Sequence, residues 1–93
     1  MKKNVILYTQ RGCESCLKLK NLIDLTGISY KTIDVLDYTN IWESIRKTKK
    51  EIMYTPTIGV EIPSDNKIIY IAAGIDFDEN QDEKALDKLK SLI

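Results

Sequence analysis

The chain has 93 residues, 43% of them hydrophobic and 30% charged, the balance of one small globular domain rather than of a disordered or multi-domain protein. Fourteen basic residues offset fourteen acidic ones to a formal net charge of +0, which excludes duplex nucleic acid as the main partner, because phosphates call for a cationic excess. His is absent and Cys numbers two, which removes the commonest general base and leaves too few sulfurs for a four-ligand structural zinc within one chain. The longest nearly apolar stretch, Ile68 to Ala73, is far below the roughly 20 residues of a membrane span. The opening Met1-Lys2-Lys3 leads into an apolar run too short for a secretory signal. The expectation is a cytoplasmic, reducing setting and no membrane partner, where paired Cys residues serve redox or metal chemistry more often than stapling.

In chain order, Asn4 to Thr9 is a short apolar run with β-branched members and reads as a buried strand. Gln10-Arg11-Gly12 turns the chain, and from Cys13 the apolar Leu17, Leu19, Leu22, Ile23 and Leu25 recur near helical spacing until Gly27 stops them. Ser29 to Leu36 alternates imperfectly as a second strand, so the first three elements form a βαβ unit with parallel strands. Asn40 followed three residues later by Glu43 predicts a helix start, with Ile41, Trp42 and Ile45 as the apolar stripe. Arg46-Lys47-Thr48-Lys49-Lys50 crowds cations at that helix's C-terminal end, where the dipole favours them. Thr57 to Ile62 and Lys67 to Ala73, joined by Pro63-Ser64-Asp65-Asn66, predict an antiparallel hairpin that Gly74 ends. A last helix carries Ala85, Leu86, Leu89, Leu92 and Ile93 on one face. The resulting string is β-α-β-α-β-β-α in an α/β architecture, a single domain over residues 1–93 with no repeat and no linker.

One motif carries chemistry. Cys13-Glu14-Ser15-Cys16 falls where the first strand meets the first helix. The unsatisfied N–H groups and dipole of a helix N-terminus favour an anion, and the thiolate is the reactive form of Cys. Such positions lower a thiol pKa from about 8.5 into the range of about 3.5–7.5. Cys13 is therefore the expected nucleophile, and Cys16, one turn further in, the resolving thiol. Glu14 works against the thiolate, and Arg11 and Lys18 offset it. Two other readings stay open: a pair of core Cys residues, and a metal site shared between chains.

Tyr54-Thr55-Pro56 and Ala73-Gly74-Ile75-Asp76 are the remaining signals, a Pro heading a strand and a Gly-x-Asp before the last helix. Taken with the Cys pair, the chain resembles the glutaredoxin branch of the thioredoxin-fold family over almost its whole length. The resemblance implies a mixed four-stranded sheet with helices on both faces, and a cis Pro56 packed beside the disulfide. It implies that Thr55 offers backbone N–H and C=O groups to glutathione or a substrate cysteine, as an added strand would. The family's Gly-Gly-x-Asp-Asp holds the γ-glutamyl end of glutathione. Gly74 and Asp76 match that pattern, whereas Ala73 and Phe77 do not, and Asp78 is the carboxylate nearest the missing one. Arg11 stands one position from the family's usual cation, and Tyr8, at the strand end before the turn, either borders the site or packs in the core.

The function implied is disulfide reduction in proteins or glutathione mixed disulfides, with glutathione as reductant and no tightly bound cofactor or metal. A monomer is expected. Three alternatives accompany it: a thioredoxin-like electron donor to ribonucleotide reductase recycled by a flavoprotein reductase, a glutaredoxin sharing an iron–sulfur cluster between chains, and a non-catalytic interaction module.

Overall fold

The computed structural model describes residues 3–78 and 80–93, so that the opening Met1-Lys2 lies outside them. The elements are β1 (Asn4–Thr9), α1 (Glu14–Thr26), β2 (Lys31–Asp34), α2 (Thr39–Thr48), β3 (Thr57–Ile62), β4 (Lys67–Ala72) and α3 (Asp82–Leu92), with a 3₁₀ turn over Pro63–Asp65. The sheet order is β2-β1-β3-β4; β1 pairs parallel with β2 and antiparallel with β3, and β3 pairs antiparallel with β4. The sheet is thus mixed, as the predicted string requires. Among the described residues no helix is long and apolar enough to cross a membrane.

Alternation along the strands divides the core in two, because successive side chains leave opposite faces. Val5 and Leu7 of β1, Ile58, Val60 and Ile62 of β3, and Ile71 of β4 meet Leu19 and Ile23 of α1 and Ala85, Leu86 and Leu89 of α3. The other face gathers Tyr8, Val35, Ala72, Ile52 and the α2 residues Trp42 and Ile45. Leu7, Leu19, Ile23 and Ile58 are fully enclosed, each worth about 1.5–3 kcal/mol of burial. Gly59 faces the second cluster; a Cβ there would lie 3.1 Å from the Tyr8 ring and 3.5 Å from that of Tyr70. Its missing side chain makes room for both rings.

The helix ends follow local chemistry. Cys13 caps α1, and Gly27 closes it with φ +78, a left-handed backbone that costs Gly little. Three expectations are corrected. The second strand is shorter than Ser29 to Leu36, since the Asp34 carboxylate accepts the Leu36 N–H at 2.9 Å and the Asp34 carbonyl accepts Asp37 and Tyr38 N–H, bending the chain out of the sheet. The same turn feeds α2 directly, so Tyr38, without a side-chain cap, replaces the Asn40 start. At the far end, Ile93 is 48% exposed rather than on the packed face of α3.

Candidate redox site

Cys13 and Cys16 sit at the N-terminus of α1, joined as a disulfide with Cα atoms 5.3 Å apart. The sequence places them there because β1 must end at the turn carrying Gly12, whose φ is +79, before the helix begins. Cys13 is half-buried, whereas Cys16 is 3% exposed and joins the packed side of the helix. The Cys16 backbone N–H donates to Cys13 Sγ at 3.1 Å, and the Thr55 hydroxyl approaches the same sulfur at 3.9 Å. One sulfur thus faces solvent, helix amides and a hydroxyl, and the other is shielded.

The Thr55–Pro56 peptide bond is cis. Pro56 O accepts the Ala73 N–H at 3.2 Å and Thr57 Oγ1 donates to Tyr54 O at 2.8 Å, so the corner is tied to β4 and to itself. Among the described residues, neither the N–H nor the C=O of Thr55 has a backbone partner. A groove of about 480 Å³ runs from this corner along the first turn of α1, lined by Glu14, Ser15, Lys18, Thr55, Gly74 and Asp78 among others. Gly74, at φ +85, takes the Tyr54 ring against it, since a Cβ there would lie 3.2 Å from that ring.

The other predicted contacts lie elsewhere. Tyr8, a candidate for the border of the site, is 4% exposed in the α2-side cluster, its ring centroid 6.1 Å from that of Trp42. Burial, helped by Tyr70 and Glu61, pushes its phenol up to about 12. Arg11 spans Asp34 at 3.7 Å and Asp37 at 3.2 Å, so its cation is answered by the end of β2. Asp76 accepts the Ala72 N–H at 2.8 Å and pairs with Lys88 at 3.1 Å, fastening the β4–α3 connection. Phe77 is turned into the core and still lines the groove, and Asp78 lines it beside Phe77. Lining residues to which the sequence assigned no role are Tyr54, Asn80 and Asp82. An aromatic beside Thr-Pro and an acid opening the last helix were the signals for Tyr54 and Asp82. Among the described residues no cluster of three His, Cys, Asp or Glu side chains is arranged to hold a metal ion.

A mixed sheet with helices on both faces and a Cys-x-x-Cys at the first helix defines a thioredoxin-like thiol–disulfide protein. The chain aligns over 97% of its length with the whole of a crystal structure of a thioredoxin-like protein, at a TM-score of 0.61 and 21% identity, a likeness of fold. No curated protein sequence matches it significantly. The family model described as glutaredoxin matches residues 5–60, and the chain belongs to the glutaredoxin family. Oxidoreductase activity in general follows from that membership and fits the Cys13–Cys16 disulfide.

Proposed function

We propose that the protein reduces disulfides in other proteins by a dithiol cycle, with Cys13 as nucleophile and Cys16 as resolving thiol. The observation that carries this reading is the asymmetry of the pair: one sulfur reachable at a helix N-terminus, the other enclosed a turn deeper. The Cys13 thiolate attacks one sulfur of the substrate disulfide, forming a Cys13–substrate bond and releasing the other sulfur as a thiolate that takes a proton. Cys16 gives up its proton and attacks Cys13 Sγ, which frees the second substrate thiol and leaves the Cys13–Cys16 disulfide. Two electrons and two protons pass to the substrate. The unpartnered N–H and C=O of Thr55 orient the incoming segment as a short added strand.

Two equivalents of glutathione, or the dithiol of a flavoprotein reductase, reset the disulfide. The second reading, a thioredoxin-like donor to a protein such as ribonucleotide reductase, gains support from Arg11 and Asp76, both engaged by neighbouring residues. A cytoplasmic site of action suits the role, because family potentials near about −200 to −230 mV need a reducing pool to keep the dithiol charged. The pair, the Thr55 edge and the groove come from one chain, so the proposed cycle needs no residue from a second copy. Insulin reduction run beside reduction of a glutathione mixed disulfide tests the assignment. Activity toward insulin is expected, recycled by glutathione in the first reading and by thioredoxin reductase in the second; inert thiols in both assays leave only an interaction module.

A further inference from the structure

The charges of the chain cancel in number but not in place. Among the described residues, the groove beside the pair carries three carboxylates, Glu14, Asp78 and Asp82, against the single ammonium of Lys18. Glu14 and Asp82 open α1 and α3, whose N-terminal ends supply roughly half a positive charge each. Together those dipoles offset about one charge of an excess of two, so the groove stays negative. On the other flank of Cys13, Arg11 lies between two carboxylates, Asp34 and Asp37, which leaves that cluster negative as well. None of Arg46, Lys47, Lys49 and Lys50 lines the groove; Lys49 borders the clefts beside α2 and β4.

Glutathione brings two carboxylates and one ammonium, a net anion. The cation and the carboxylate expected to hold it, Arg11 and Asp76, are both paired within the chain. A peptide laid along Thr55 instead sets the residues flanking its cysteine over Asp78, Asp82 and Glu14. We propose that this groove selects disulfides carried on basic peptide segments, with Asp78 and Asp82 as the specificity-determining residues. The inference deepens the thiol–disulfide reading above and rests on it.

Three probes separate the two. Hydroxyethyl disulfide is neutral and reports the chemistry alone. Two short cysteine peptides, each a mixed disulfide with mercaptoethanol, carry Lys or Glu on both sides of the cysteine. At low salt the Lys peptide is expected to show a kcat/KM about tenfold above the Glu peptide, shrinking to about twofold at 0.5 M salt as screening sets in. The ratio is expected to fall to about threefold or less in the Asp78→Asn, Asp82→Asn double variant, and a ratio within one protein does not depend on how much of it is folded. Reduction of hydroxyethyl disulfide with equal rates on the two peptides overturns the charge selection and leaves the oxidoreductase reading standing. A preference that survives the double variant overturns the assignment to this groove. No reduction of any probe overturns the oxidoreductase reading and the selection with it.

Discussion

The backbone N–H of Cys16 points at Cys13 Sγ across 3.1 Å, so the second cysteine serves the first through its amide before it acts through its sulfur. In the dithiol form the same amide, with the other unpaired N–H groups of the first turn, faces whatever charge Cys13 carries. The Cys13 thiol of the reduced protein is therefore expected to titrate below about 8.5, the value of a free Cys. Thiolate absorbance followed from pH 4 to 10 in a Cys16→Ser background measures it. A midpoint at or above about 8.5 would falsify the helix-terminus argument, with Glu14 the neighbour to blame.

The different exposures of the two sulfurs predict different consequences of losing each. Cys13→Ser is expected to abolish disulfide reduction, a loss of at least about 1,000-fold, because the remaining thiol, Cys16, is only 3% exposed. Cys16→Ser keeps the first attack and loses the resolving step, so it accumulates a Cys13-linked mixed disulfide that intact-mass spectrometry detects. Trapping through Cys16 in a Cys13→Ser protein, at a comparable rate, would reverse the assigned roles.

Much of this was legible in one dimension, and the exceptions have a common cause. Asn4–Thr9 and Thr57–Ile62 have the boundaries their apolar runs predicted, since a turn at Gly12 follows the first run, Pro56 and Pro63 bracket the second, and both faces are covered. The Cys pair declared its position through the strand–helix junction alone. Arg11 and Asp76 did not declare theirs: Arg11 is matched by Asp34 and Asp37, Asp76 by Lys88, and such distant pairings leave no local trace. Tyr8 illustrates a second limit. Leu7 and Tyr8 are both almost fully buried, so alternation says they face opposite ways without saying which way the α2 layer lies. The Asn40–Glu43 spacing was a sound capping pattern that a stronger nearby turn, built on Asp34, made redundant.

The fit of two tyrosine rings over Gly59 makes that position sensitive to bulk. A Cβ alone comes within 3.1 Å of the Tyr8 ring, 3.5 Å of the Tyr70 ring and 3.6 Å of Ile68 Cγ2. Gly59→Val adds two further methyl groups to a packed face, and the expected cost is about 1–3 kcal/mol of stability. Urea denaturation of the oxidised proteins checks it. An unchanged midpoint would mean that Tyr8 and Tyr70 swing outward at little cost, loosening the α2-side cluster.

Tyr8 links that cluster to pH. Burial first, then the charges of Tyr70 and Glu61, raise its phenol from 10.0 to about 12 in the folded chain. The folded state therefore holds the proton more tightly than the unfolded state does. The resulting stabilisation is fully present below pH 10 and is lost as pH climbs from 10 to 12. For a shift of this size the difference is about 1 kcal/mol at pH 11 and approaches about 3 kcal/mol at higher pH. Tyr8→Phe removes the titrating group and keeps the ring on Trp42, so the variant's stability is expected to decline less steeply across that window. Lysines ionise in both proteins and cancel in the comparison. Urea midpoints at pH 8, 10 and 11 supply the measurement, and parallel curves would show that the Tyr8 hydroxyl reaches water in the folded protein.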